Sequence, residues 1–418
     1  VKLKRTALLL WLLSLPAVAQ PLERFLESAD RANFDTRASA QARAKAASDF
    51  TAAWGALLPS VKVSGGYTRN QFDAVVTIPG ANSIVIVPRD QLEASVRIEV
   101  PLLAPSKWLE TSAAAANEEG SQERLRAARE AAHRQVVSAF YSYLGSVAVL
   151  ESATRTLQAA QAQVDFTAAR TGAGVANELD LVRARAEVER NQQLVANAEA
   201  LVATGARTLE TLSGLAPGEV PRLPGGEPSA LPPLEQVVAR GVDSRPAVKA
   251  AAQDTVAAQR RSTAATLALV PTVNAQFTQR FTNATGFQGQ PSLYNAGVTL
   301  DWKLDVPSFS TLGTVRASEG TALVAEERAR REAADQLHAD WQQTRAALKK
   351  ATAAQSQVTA AQRAASLAKE RNAAGMATQL DVIQADRDLF AAELSQIQAL
   401  AELASARALL ALSSGETP

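Results

Sequence analysis

Four stretches of the chain alternate apolar and polar residues with a period of two, the pattern of a strand with two unlike faces. Val61, Val63, Gly65 and Tyr67 oppose Ser60, Lys62, Ser64 and Thr68, and Leu92, Ala94, Val96, Ile98 and Val100 oppose Glu93, Ser95, Arg97 and Glu99. Further on, Val273, Ala275, Phe277 and Phe281 oppose Thr272, Asn274, Gln276, Thr278 and Arg280, and Tyr294, Ala296, Val298, Leu300 and Trp302 oppose Asn295, Thr299, Asp301 and Lys303. Each run is about 9–11 residues, the length a tilted strand needs to cross a bilayer. An ordinary sheet with one buried face would alternate in the same way. Long helices flank each hairpin and charges sit on the polar faces, which favours strands around a wet lumen. Arg97, Arg280 and Lys62 are expected to line that lumen or to pair with Glu99 and Asp301.

Between the strands the period changes to that of helices. The segment 106–170 contains no proline, and a seam runs Val136, Phe140, Tyr143, Val147, Leu150, Thr154, Leu157, Gln161 and Val164. Its spacings of four and three are those of a left-handed coiled coil. The segment 308–371 carries a matching seam of Leu337, Trp341, Thr344, Leu348, Ala351, Gln355 and Val358. About 65 helical residues at 1.5 Å each reach roughly 95–100 Å. Shorter helices are predicted over about 21–56, 177–214, 234–268 and 378–413.

The two sets of elements are copies. Residues 170–215 align without a gap to 371–416 at an offset of 201: Gly174 with Gly375, Leu179-Asp180 with Leu380-Asp381, Ser213-Gly214 with Ser414-Gly415. Upstream, Leu57-Leu58-Pro59-Ser60-Val61 matches Leu269-Val270-Pro271-Thr272-Val273. The offset falls by ten across the first hairpin, so its loop (about 71–91) is ten residues longer than its partner (about 284–292). This organises the chain as a first repeat over 20–215 with a hairpin at 57–103, and a second over 234–418 with a hairpin at 269–305. Residues 216–233 hold six of the 18 prolines and read as a linker or irregular girdle.

Composition narrows the chemistry. The 87 alanines among 418 residues fit long helices whose seams thin to small side chains. No cysteine excludes disulfide scaffolds, thiolate metal sites and cysteine nucleophiles; two histidines and one methionine leave little for an imidazole or soft-metal site. His133 and His338 have no second ligand one turn away and read as ordinary helix residues. No nucleophile elbow, phosphate loop or paired-carboxylate motif appears, so neither an enzyme nor a cofactor is expected. The balanced charge argues against nucleic acid. Residues 1–19 have the form of a secretion signal: Lys2, Lys4 and Arg5, an apolar run, then Ala17-Val18-Ala19. Without them the net charge of +1 becomes about −2.

Four strands cannot close a transmembrane barrel, since the smallest have eight. Copies must pool them: two chains would give a plugged barrel, three a twelve-stranded one with room for a channel. In order and spacing, the leader, the duplication, the Leu-Pro blocks before the strands, Val100-Pro101-Leu102 after one, Arg245-Pro246-Ala247-Val248 and the twin tips resemble TolC-type outer-membrane efflux proteins. The resemblance implies a membrane α+β fold: four transmembrane strands per chain in a trimeric twelve-stranded β-barrel, continued by a periplasmic α-helical coiled-coil barrel. It implies residence in the outer membrane, in contact with its lipid and reaching into the periplasm. It also implies a periplasmic adaptor and an inner-membrane transporter as partners. The lipobox Cys of many relatives is absent, and the turns after the second strands read Ala104-Pro105-Ser106 and Val306-Pro307-Ser308 instead of a Gly-rich corner.

On that resemblance the turns Arg170–Glu178 and Arg371–Gln379 form the periplasmic entrance. Asp180 and Asp381 match the family's aperture acids, with Arg183 and Gln384 one turn on. A helix-capping role competes for the same carboxylates, because Asn177 and Thr378 are natural N-caps and place each Asp at the third helical position. Gly174, Val175, Gly375 and Met376 are the expected adaptor contacts, with a plain hairpin turn as the bland alternative. Trp54, Trp108, Trp302, Tyr67 and Tyr294 lie at or near strand ends and suit a membrane-interface girdle, or junction packing. The expected function is a passive exit duct in a tripartite efflux or type I secretion system. A periplasmic adaptor with coiled-coil hairpins is the rival, although it would not duplicate membrane-length strands.

Overall fold

A computed structural model describes residues 21–77, 79–80, 83–175, 177–219, 221–224 and 231–415. The secretion-signal segment 1–19 and part of the 216–233 linker lie outside these. The chain divides into two compact units, one of Val1–Ser39, Leu125–Arg245 and Arg331–Pro418, the other of Ala40–Arg124 and Pro246–Arg330.

The second unit holds the sheet. Strands β1 (Ser60–Arg69), β4 (Asp90–Leu103), β5 (Thr272–Thr282) and β6 (Ser292–Asp301) pair antiparallel in the order β1-β4-β5-β6. The pairing of β4 with β5 therefore joins the hairpins of the two repeats. Register aligns one face in rows across all four strands, Val61–Ile98–Phe277–Ala296 and Val63–Val96–Gln279–Tyr294, apolar throughout except at Gln279. Among the described residues no element packs on that face: Val63 is 74% exposed and Val298 66%. On the other face Arg280 sits opposite Ser95, and its guanidinium meets Glu93 at 2.7 Å. Its carboxylate partner is thus two residues along the neighbouring strand, not the expected Glu99 or Asp301. The long 71–91 connection is more than a loop, since β2 (Ala74–Val76) and β3 (Ile84–Val87) form a small antiparallel ribbon within it.

Four helices contribute to this unit: α2 (Phe34–Gly55), α3 (Pro105–Gly172), α6 (Pro246–Leu267) and α7 (Val306–Ala373). Gly120 lets α3 approach α6 closely, where an added Cβ would lie 3.3 Å from that of Gln253. Arg260 on α6 donates to the Ser112 carbonyl at 2.7 Å. After β6, the Asp305 carboxylate accepts from the Ser308 amide and hydroxyl and starts α7 in place of a glycine corner. Those bonds, the Ser308 hydroxyl first and Lys303 next, hold its pKa down at about 2.

The first unit is helical, with α1 (Leu22–Ala32), α4 (Glu178–Ser213), α5 (Leu234–Gly241), α8 (Gln379–Ser414), α3 beyond Leu125 and α7 beyond Arg331. Its core gathers Phe25, Val136, Val137, Phe140 and Leu209, with the rings of Phe25 and Phe140 5.5 Å apart. Burying each large side chain contributes roughly 1.5–3 kcal/mol. A second core is built almost wholly from alanine: Ala347, Ala351, Ala354, Ala399 and Ala406 around Leu403. Small side chains let the α7 and α8 backbones come close and make up in contact area what they lack in size.

Two details correct the sequence reading. The buried row on α7 is Leu337, Asp340, Thr344, Ala347, Ala351, Ala354 and Val358, so Trp341, Leu348 and Gln355 flank the seam. Asp340 can occupy a core position because Arg134 neutralises it there. The helices expected over 21–56 and 234–268 are each broken. Asn33 ends α1 in an extended conformation, and its side chain accepts the Asp35 amide at 2.9 Å to start α2. Pro246 forces Arg245 out of helical geometry, and Val242–Ser244 tightens to a 3-10 turn before it.

Candidate functional site

The two hairpin tips of the first unit are built alike, and each uses glycine to stop a 68-residue helix. Gly174 and Gly375 both take φ +75°, the left-handed region where a Cβ is costly. Around each, two backbone bonds close the end of the helix. Val175 N donates to Arg170 O at 2.9 Å and Gly174 N to Thr171 O at 3.0 Å. Met376 N donates to Arg371 O at 2.8 Å and Gly375 N to Asn372 O at 3.0 Å. This paired arrangement satisfies the last carbonyls of α3 and α7. It leaves the Val175 and Met376 side chains pointing into solvent, 66% and 75% exposed.

The returning helices start differently. At α8 the expected capping box is complete: the Thr378 hydroxyl accepts the Asp381 amide, and the Asp381 carboxylate accepts the Thr378 amide at 2.8 Å. The Thr378 hydroxyl also bonds that carboxylate, and these contacts, hydroxyl first, lower the Asp381 pKa below the ordinary Asp value. At α4, Asn177 accepts from the Leu179 amide at 3.2 Å, while Asp180 lies 3.8 Å from Arg183. Asp180 is therefore paired on its own helix, and Asp381 is tied into the helix start. Gln384 donates to Asp388 at 2.9 Å. One side chain links the tips: Arg170 reaches the carbonyl and side chain of Asn372, both at 3.5 Å.

Just behind the tips lies an ionic layer that sequence reasoning missed. Arg387 on α8 binds Glu187 on α4, and Lys369 on α7 binds Asp386 on α8 at 2.9 Å. Arg387 and Asp386 correspond to Ala186 and Arg185 under the offset of 201. Those are positions where the two copies differ in charge, and that divergence was the readable signal. Deeper in the same unit, Arg134 grips Asp340 with both terminal nitrogens at 2.8 Å and Ser413 at 2.7 Å. Burial alone would raise the Asp340 pKa, but the bonds from Arg134, Ser413 and Gln336 hold it below the usual range. His133, read as an ordinary helix residue, contacts Asp30 at 2.9 Å.

The five aromatics are scattered over the sheet unit, and all are more than half exposed. Trp302 donates to the Leu269 carbonyl at 2.9 Å, Tyr67 donates to Asp90 at 2.7 Å, and Tyr294 stacks on Phe277 with centroids 6.1 Å apart. Trp54 lies on α2 and Trp108 on α3, near strand ends in the chain. Among the described residues no cluster of His, Asp and Glu could hold a metal ion.

A family model described as outer membrane efflux protein matches residues 25–215 and 240–416. No curated protein matches the chain in sequence. Solved structures do match in fold. A membrane protein from Pseudomonas aeruginosa is 21% identical with a TM-score of 0.79, covering 94% of this chain and 93% of its own. CusC, which undergoes conformational changes on folding and transmembrane channel formation, is 17% identical with a TM-score of 0.79, covering 96% and 93%. The MtrE outer membrane channel of Neisseria gonorrhoeae, in its open state, is 19% identical with a TM-score of 0.76, covering 94% and 89%.

Proposed function

The chain belongs to the outer membrane efflux protein family, and from that premise we propose that it is the outer-membrane exit duct of a tripartite efflux or type I secretion system. One observation carries this reading. The four-stranded sheet ends in two edge strands, β1 and β6, and carries an apolar face that none of the described residues covers. Edge strands in a bilayer must be paired, because lipid offers their backbone groups no hydrogen bonds. Three copies joined β1 to β6 make a closed twelve-stranded barrel, with the rows through Val61 and Val63 toward lipid and those through Lys62 and Arg97 toward water. The exposed aromatics then lie along the interfaces.

In that assembly the tips become the periplasmic entrance. Asp180 and Asp381 from three copies form a ring of six carboxylates that concentrates cations at the narrowest point. Val175 and Met376, held outward by their glycine turns, are the knobs on which an adaptor docks, and the adaptor couples the duct to an inner-membrane pump. The duct itself binds cargo weakly, catalyses nothing, and opens when the tip hairpins separate. An adaptor role fits poorly, since it gives no use to membrane-length strands in duplicate. The test is conductance of the purified protein in planar lipid bilayers. Cation-preferring channels support the reading, and a protein that inserts without conducting contradicts it.

A further inference from the structure

In the sheet unit the duplication sets each helix beside its copy. Helices α3 and α7 are both 68 residues long and align at an offset of 201, while α2 and α6, both 22, align at 212. Within each repeat, one face of the long helix meets the shorter one. Thr111 on α3 donates to the Ala53 carbonyl of α2 at 3.0 Å, and Thr255 on α6 donates to the Ala322 carbonyl of α7 at 3.3 Å.

A second face of α3 crosses to the other repeat. It carries Ala113, Ala116 and Gly120, all buried, with Gly120 against Gln253 and Arg124 bound to Asp254 on α6. The counterparts on α7 are Thr314, Ala317 and Thr321, all exposed, and Val324 on the same face is 66% exposed. On the α6 side Ala257 and Ala264 are buried, while their counterparts on α2, Lys45 and Ala52, are exposed. Among the described residues, α7 and α2 therefore lack the cross-repeat neighbour that α3 and α6 have. The sheet stops at the same two places: β4–β5 is its cross-repeat pairing, and β6, which leads into α7, and β1, which follows α2, are its edges. The bare faces are the two halves of a junction that the chain already makes once within itself. A head-to-tail contact of this kind repeats from copy to copy until a ring closes.

We propose that a second copy of this chain covers these faces in the register of the internal junction, α2 of one copy lying on α7 of the next. This rests on the duct reading and adds to it a helix contact and a fixed strand register. Gly120 lies against Gln253, so Thr321 lies against Gln41 of the neighbouring copy. The two hairpins have the same register, Val61–Ile98 in one and Val273–Leu300 in the other, which fixes the strand offsets at 212 and 202. Glu99 pairs with Gln276, so Asp301 stands opposite Ser64 of the neighbouring copy. The contact covers Val324 and pairs the backbone of both edge strands.

The experiment places paired cysteines in the full chain, oxidises them in outer-membrane vesicles and separates the chains denatured. Gln41→Cys with Thr321→Cys should give a ladder ending at three chains, because Cβ atoms in close contact suit a disulfide. Ser48→Cys with Thr321→Cys, two turns further along α2, should link at least tenfold less. Gln41, Ser48 and Thr321 are all exposed, so these substitutions leave the fold of the single chain intact. On the strands, Ser64→Cys should link to Asp301→Cys at least fivefold more than to Gly297→Cys, and this pair decides if the helix pair does not assemble. Linking that favours Ser48 or Gly297, or no link in either expected pair, overturns the inference. Conductance is recorded on the same preparation. Channels that conduct without these links overturn this contact alone, whereas links without conductance uphold the contact and count against the duct.

Discussion

Arg387 on α8 holds Glu187 on α4 through two nitrogens on one carboxylate oxygen, at 3.0 and 2.5 Å, and so clasps the returning helices of both repeats just behind the tips. The Glu187 side chain is only 12% exposed, while that of Arg387 is 41% exposed. Partial exposure limits such a pair to about 1 kcal/mol. If separation of the hairpins opens the entrance, Arg387→Ala should raise channel open probability up to about fivefold, the equivalent of that energy. Glu187→Ala should do the same, and the double variant should add little. Single-channel recording of the three variants checks this, and additive effects would show that the two residues act independently.

If the tips form the entrance, its charge has a pH signature. The Thr378 hydroxyl and amide hold the Asp381 pKa below its ordinary value, so this carboxylate stays ionised as pH falls through the usual Asp range. The Asp381 contribution to cation preference, read from reversal potentials, should therefore be lost at a lower pH than an ordinary Asp would give. Thr378→Ala removes the hydroxyl bond and should move the loss of preference to higher pH. The same linkage makes the cap's contribution to stability present above the unfolded pKa and lost as pH drops through the folded one.

Asp180 and Asp381 hold matching positions in the two repeats but not the same surroundings. Asp180→Asn should lower cation preference with little effect on folding, because its partner Arg183 is a weak contact 3.8 Å away on the same helix. Asp381→Asn should lower it too and also fray the start of α8. Unchanged conductance and selectivity in the double Asn variant would remove these carboxylates from the entrance.

The ion pair in the α7 seam is structural. Asp340 is 4% exposed and accepts from Arg134, Ser413 and Gln336, so Asp340→Ala strands the Arg134 guanidinium. The expected cost is about 3–5 kcal/mol. Protease resistance of the helical unit should fall accordingly, and Arg134→Met in the Asp340→Ala background should recover part of it.

Much of this was readable in the residues, for identifiable reasons. The strands announce themselves because Val61 to Tyr67 and Leu92 to Val100 alternate strictly, and the pleat turns alternation into faces. The helix starts at Asn177 and Thr378 are equally local, since a cap needs only residues three positions apart. The phase of the α7 seam was not local. Asp340 and Ala347 look like surface residues until Arg134 and the close approach of α8 are in place, and Trp341 and Leu348 draw the eye away from them. The break at Asn33 was hidden because asparagine serves equally in a helix and at its end, whereas Pro246 did mark a boundary in plain sight. Arg387 and Glu187 lie 200 residues apart, and only the mismatch between the two copies hints at their meeting.

The central claim is that three copies close the barrel through β1 and β6. With no native cysteine in the chain, the contact can be read by disulfide trapping. Ser64→Cys on β1 is combined in turn with single cysteines along β6 from Ser292 to Asp301, and each double variant is oxidised in outer-membrane vesicles and run denatured. The account predicts that at least one combination yields a ladder ending at three chains, reversed by reductant. A ladder that ends at two, one that continues past three, or no cross-link at any β6 position would contradict it.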